Sequence, residues 1–184
     1  MGVFDFLGSN KQKDEAFVVP KTEQERWCLD TYSIWCASTG GDASKLSGRF
    51  SKKSASTVLK RDWGVSISAG CGEQFLEDYI KPTIVMQSED KGEISWEYGC
   101  CAQLLCLAYA AELITREQHN EQFFKLAKCY QLHFTSWEEM AEQYFIGYEN
   151  ATGNIAGVNM RKETYKELKA PNSLNFKVDW NISF

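Results

Sequence analysis

The stretch "ISWEYGCCAQLLCLAYAAEL", residues 94–113, is apolar on nearly every side, and no other feature constrains the fold as tightly. A helix without a polar face must be covered all round, at the centre of a bundle or across a membrane. Glu97, Gln103 and Glu112 interrupt the run, and no stretch of the chain reaches the roughly 18 apolar residues a membrane span needs. A covered central helix is therefore expected, with the rest of the chain supplying its neighbours.

Local signals mark those neighbours. "TEQE" at 22–25 reads as a capping box, in which the Thr22 hydroxyl accepts from the Glu25 amide and Glu25 reaches back to the cap. The helix that follows carries Cys28, Leu29, Tyr32, Trp35 and Cys36 at three- and four-residue steps and ends at Gly40-Gly41. A short helix over about 54–63 faces Val58, Leu59 and Trp63 inward and stops at Gly64. Ser68 is placed to cap the next, whose stripe is Cys71, Phe75, Leu76, Tyr79 and Ile80, and Pro82 disturbs or ends it. Residues 88–93 read as a polar loop. "TREQ" at 115–118 and "SWEE" at 136–139 are two further capping boxes, the latter with Ser136 as cap and Glu139 as its reciprocal partner. After the second of these, Trp137, Met140, Ala141, Tyr144 and Phe145 form a buried stripe. The pattern loosens past Gly147, and a short charged helix is expected at about 161–169, closed by Pro171. In "SLNFKVDWNISF", residues 173–184, Leu174, Phe176, Val178, Trp180, Ile182 and Phe184 alternate without exception, the period of an extended strip with one buried side. That strip either lies on the chain's own helices, pairs with "AFVV" or "TIVM", or offers an edge to a partner.

Chemistry-bearing motifs are missing. No phosphate loop, H-E-x-x-H, G-x-S-x-G or calcium-loop pattern occurs. The two histidines, His119 and His133, lie about 21 Å apart along one expected helix, too far to share an ion. His119 reads as a semi-buried residue of the first turn. The seven cysteines form no C-x-x-C pair and sit mostly in apolar helical patterns, as reduced thiols of a cytoplasmic protein do. The N-terminus has neither a basic n-region nor a myristoylation pattern. No catalytic residue, metal ligand or cofactor is assigned.

What remains is surface. A net charge of −5 argues against a general nucleic-acid binder. Charge is nevertheless segregated: Lys45, Arg49, Lys52, Lys53, Lys60 and Arg61 form a basic stretch, and Glu138, Glu139, Glu142 and Glu149 an acidic one. The four glutamates, with Phe176 and Trp180 of the strip, are the candidate partner-binding residues. Glu97, Tyr98 and Tyr109 are candidates for a pocket, with Glu97 read either as a helix N-terminal carboxylate or as a partly buried acid. Trp27, Trp63, Trp96, Ser136 and Trp137 are expected to be structural.

Four segments, "ERWCLDTYSIWCA" (25–37), "LKRDWGVS" (59–66), "ISWEYGCCAQLLCLAYAAELITREQ" (94–118) and "YQLHFTSWEEMAEQYFIGY" (130–148), occur in an order and spacing that resemble the bacterial domain-of-unknown-function family DUF1266. The matching positions are Arg26-Trp27, Trp96-Glu97, Glu117, and Gln131 through Ser136-Trp137-Glu138, within residues of about 22–150. Glu97 stands where the family usually has Asp, and Cys100 falls where it has an arginine, so an acid–arginine pair there would be lost. The resemblance implies an α-helical bacterial cytoplasmic protein and carries no catalytic activity. Some relatives look like accessory or immunity components of toxin systems.

The expected architecture is a mostly all-α, single-domain orthogonal bundle of six or seven helices. It comprises an N-terminal arm (1–21), a helical domain (22–170) and an extended, β-like C-terminal strip (171–184). The expected function is non-enzymatic binding of a protein, as an immunity protein neutralising a toxin, without nucleic-acid or membrane partners. The alternatives are a structural or adaptor homo-oligomer, and a small-molecule or enzymatic pocket near Glu97.

Overall fold

In the computed structural model, which describes residues 19–184 except 49 and 69, seven helices and no strand are present among the described residues. They are α1 (Glu23–Ser38), α2 (Lys52–Trp63), α3, α4 (Lys91–Ala110), α5 (Arg116–His133), α6 (Trp137–Thr152) and α7 (Ile155–Leu168). The third is composite: Gly72–Phe75 runs through a π-helical turn, Leu76–Ile80, into Lys81–Ile84. Pro82 thus does not end the helix. It has no N–H to give, and the turn ahead of it widens so that the Lys81 N–H reaches the Leu76 carbonyl.

Polar side chains set most of the helix starts. Thr22, Ser51, Thr115 and Ser136 each accept the amide three residues on, and Thr115 and Gln118 close a reciprocal box at 3.2 and 2.9 Å. Glu25 and Glu139 do not close theirs. The Glu25 carboxylate is taken by a distant arginine, and Glu139 accepts from the Thr135 N–H at 2.8 Å, one residue ahead of the cap. Ser68 does not cap α3, whose first turn follows Cys71 without a side-chain cap. The expected 88–93 loop is shorter, because Asp90 accepts from the Gly92 and Glu93 amides and starts α4 a turn early. The last helix also begins earlier than the charge pattern indicates. Gly153 adopts the left-handed conformation that ends α6 (φ 63°), and Asn154 caps α7 at once.

α4 is the covered centre, with fifteen of its residues buried. It packs against α1, α2, α3, α5 and α6, while α7 packs on α1 and α6. Its crossing with α6 is backbone to backbone. A β-carbon at Gly147 would stand 2.1 Å from the Gly92 carbonyl oxygen, and the buried Ser95 hydroxyl donates to the Met140 carbonyl at 2.9 Å. Gly147 is therefore a contact point inside α6, not the place where helix gives way to loop.

The C-terminal strip forms no strand; it lies on the chain's own helices. Phe176, Val178 and Trp180 are buried and Ile182 and Phe184 half-buried; the alternation breaks at the start, where Leu174 is exposed and Asn175 buried. Alternate carbonyls are satisfied by side chains: Trp137 Nε1 donates to Val178 (3.0 Å), and Trp27 Nε1 (3.1 Å) and Gln131 Nε2 (2.6 Å) to Trp180. Gln131 also reaches the Ile182 carbonyl at 3.0 Å. The Trp27, Trp137 and Trp180 rings pack with centroids 4.7–5.0 Å apart. "TIVM" cannot serve as a pairing strand, since Thr83 and Ile84 are helical. The N-terminal arm up to residue 18, most of "AFVV", and Arg49 lie outside the described residues.

Candidate functional site

α6 and α7 fold back on each other through the two-residue turn at 153–154, and the hairpin leaves a groove of about 610 Å³ along one side. Glu138, Glu142, Phe145 and Glu149 line one wall, at i, i+4, i+7 and i+11, the spacing of one helical stripe. Val158, Lys162, Glu163, Tyr165 and Lys166 face them from α7, and Ile146 stands at the rim, 47% exposed. Beneath the groove the buried Arg161 holds the two helices together. Its guanidinium carbon lies 3.8 Å from the Tyr148 ring centroid, and its Nε donates to the Tyr144 hydroxyl at 3.4 Å.

The charges in the groove are unequally satisfied. Glu138 pairs with Lys169, whose hydrogen bond holds that carboxyl below the usual range. Glu163 pairs with Lys166 at 2.7 Å. Glu142 and Glu149 make no ion pair with any described residue. Lys162 lies over the Phe145 ring (5.9 Å) and Lys169 over the Tyr165 ring (5.5 Å). The Tyr165 hydroxyl is buried without a hydrogen-bond partner among the described residues. Burial, and then the charges of Glu138 and Glu142, push its pKa up.

Three of the four acidic candidates thus come together, and the fourth does not. Glu139 lies outside the lining and turns to Lys91 and Thr135, which hold its carboxyl at about 2. Phe176 and Trp180 are corrected from surface to interior: with 9% and 6% exposure they offer a partner nothing. The pocket candidates do not converge either. Tyr98 and Tyr109 are separated by about 16 Å along α4. The first packs on Tyr130 and His133, the second on His119, and Glu97 is half-buried. Trp27 and Trp137 are structural as expected, Ser136 caps α6, and Trp63 and Trp96 are half-buried against the core. In the basic stretch, Lys52 pairs with Glu112 (2.6 Å) and Arg61 with its neighbour Asp62 (2.5 Å).

Two buried acids take roles that their local pattern does not show: Glu25 looks like a capping partner, and Asp30 carries no motif. Glu25 accepts from Arg116 Nε (2.7 Å) and Nη2 (2.6 Å), Asn120 Nδ2 (2.8 Å) and the Lys21 amide (2.5 Å). Burial alone would raise its pKa, but these donors outweigh it and hold the carboxyl at about 2. His119 is not semi-buried but wholly enclosed between Tyr109 and Phe123, and burial drives its pKa down to about 4. A cleft of about 460 Å³ lined by Lys21, Arg116 and the 112–117 turn adjoins this cluster. Glu25 and His119 are only 3% and 0% exposed, however, and every lone-pair direction of the carboxylate is engaged, so the cluster braces α1 to α5. Asp30, 0% exposed, accepts from Asn175 Nδ2 and the Phe176 N–H, both at 2.8 Å, and fastens the strip. No local pattern points to these partners, which lie 91 and 145 residues away.

Among the described residues no group of three or more His, Cys, Asp or Glu is placed to hold a metal ion, and no helix is long and apolar enough to cross a membrane. No curated protein and no solved structure matches the chain. The motif positions Trp27, Gln131 and Trp137 all act as donors to the C-terminal strip, which explains why a family signature should extend beyond the 22–150 core into the tail. It does so: the model for the protein of unknown function DUF1266 matches residues 9–180, and the chain belongs to that family.

Proposed function

We propose that the chain is a non-enzymatic protein-binding protein, acting in the cytoplasm as an immunity protein that neutralises a bacterial toxin by engaging its basic surface. One observation carries this reading: Glu142 and Glu149 stand unpaired at the lip of a groove whose floor is partly apolar. Exposed carboxylates left without cations are available to complement a positive patch, which raises the association rate and sets register. Apolar atoms beneath them supply the area that holds the complex. The seven cysteines, four of them buried, fit a reducing compartment.

The test is calorimetry with the purified product of the neighbouring gene, paired with growth of cells co-expressing both proteins. A complex that protects the cells and is lost in Glu142→Lys supports the reading. The absence of a complex, or one indifferent to that reversal, ends it.

A further inference from the structure

The groove narrows the chemistry of its occupant, an inference that rests on the protein-binding reading above. We propose that it receives an amphipathic helix bearing two Lys or Arg residues seven positions apart, with apolar residues between them turned to the floor. Glu142 and Glu149 are themselves seven apart, about 10 Å along the axis, the rise between residues i and i+7 of an opposing helix. Between and below them Phe145, Ile146, Val158 and Tyr165 present apolar surface.

The molecule's own lysines already show what the groove accommodates. Lys169 sits over the Tyr165 ring while pairing with Glu138, and Lys162 sits over the Phe145 ring. An ammonium held by a carboxylate and an aromatic face is therefore the interaction these walls make, and two carboxylates are left for an incoming chain. An extended segment is the poorer occupant. The described residues contain no strand, so the groove has no edge on which main-chain pairing could build. A furrow between two antiparallel helices instead offers ridges of side chains that a third helix can interleave.

Four dye-labelled synthetic peptides of equal length, titrated by fluorescence anisotropy, test the proposal. The first carries Lys at i and i+7 with Leu at i+3 and i+4. The second has the same composition with one Lys moved to the opposite face, the third a central proline, and the fourth Glu in place of Lys. The first should bind at least tenfold more tightly than the others, with affinity falling as salt rises. Glu142→Gln and Glu149→Gln should each weaken it several-fold, and Glu142→Lys/Glu149→Lys at least tenfold. Glu73→Lys/Glu121→Lys, with the same charge change elsewhere, should leave it within twofold, provided circular dichroism shows each variant folded. Equal binding of the first three peptides overturns the helix proposal, as does indifference to the groove variants. If the neighbouring-gene product still loses binding in Glu142→Lys while the peptides fail to discriminate, the groove reading stands and the helical occupant falls. If both are indifferent, both fall.

Discussion

Trp137 gives its indole N–H to the main-chain carbonyl of Val178 across 3.0 Å, joining the first residue of α6 to the C-terminal strip. Both partners are buried, and the Trp27 and Trp180 rings enclose the bond. Trp137→Phe leaves that carbonyl unsatisfied and removes part of a packed ring. It should cost about 2–3 kcal/mol. Trp63→Phe, at a half-buried ring, should cost under about 1 kcal/mol. Urea unfolding of the two variants decides, and equal losses would show that the strip is not anchored as described.

The approach of α6 to α4 leaves no room for a β-carbon at Gly147, because the obstacle is the Gly92 carbonyl and not a mobile side-chain end. Gly147→Ala should cost about 3 kcal/mol or more, since two helix backbones must separate. Gly153→Ala meets no atom within 4 Å and bears only the strain of a left-handed residue (φ 63°), about 1 kcal/mol. A reversed order in thermal melts would contradict the crossing.

The Glu25–Arg116 pair joins a buried carboxylate to a largely covered guanidinium, with side-chain exposures of 3% and 13%. Breaking it from one side strands a charge. Glu25→Gln should therefore cost about 3–5 kcal/mol, and Glu25→Leu combined with Arg116→Met should recover much of that loss. Because the native carboxyl titrates at about 2 instead of the usual 4.5, the pair's contribution is complete above pH 4.5 and lost as pH falls towards 2. Denaturant midpoints at pH 3 and 6 should show this acid loss in the parent chain and not in Glu25→Gln.

Sequence reading succeeded where a structural decision is local and failed where it is long-range. The caps at Thr115 and Ser136 and the stripe of α6 are settled within a few residues, and the structure keeps them. The start of α7 is not legible, because Asn154 caps a first turn with no acidic residue and the charged stretch begins only farther on. Alternation in the strip marks its buried side from Phe176 onward but fails at Leu174, which is exposed. It could not show that tryptophan and glutamine side chains, not a neighbouring strand, would take the carbonyls. Part of the candidate site was legible, since Glu138, Glu142 and Glu149 stand apart as acids without nearby bases. Which of them face α7 depends on the turn at Gly153-Asn154, and the opposing wall depends on a helix whose first turn carries no charge pattern in the sequence.

Asp30 gives the fold a pH dependence opposite to that of Glu25. Burial pushes its carboxyl up to about 7, against the Asn175 and Phe176 donors and the charges of Arg26 and Lys177, which favour the ionised form. A folded pKa above the unfolded one means that folding takes up a proton. Its contribution is complete below about pH 4 and disappears as pH rises through 7. His119 works the other way: with its pKa lowered from 6.5 to about 4, its contribution is complete above 6.5 and lost as pH falls through 4. The two nearly cancel between pH 4.5 and 6.5 in the parent chain, so single variants must separate them. Asp30→Asn removes the term that falls with pH, and the difference in unfolding free energy between pH 5 and 7.5 should then become positive by roughly 1–3 kcal/mol relative to the parent. At the acid end the variant should be the less stable, since its NH2 group would face one of the two donors, Asn175 Nδ2 or the Phe176 N–H, where the hydroxyl oxygen of the protonated acid can still accept. Parallel stability–pH curves for parent and Asp30→Asn would show that Asp30 does not titrate across this window.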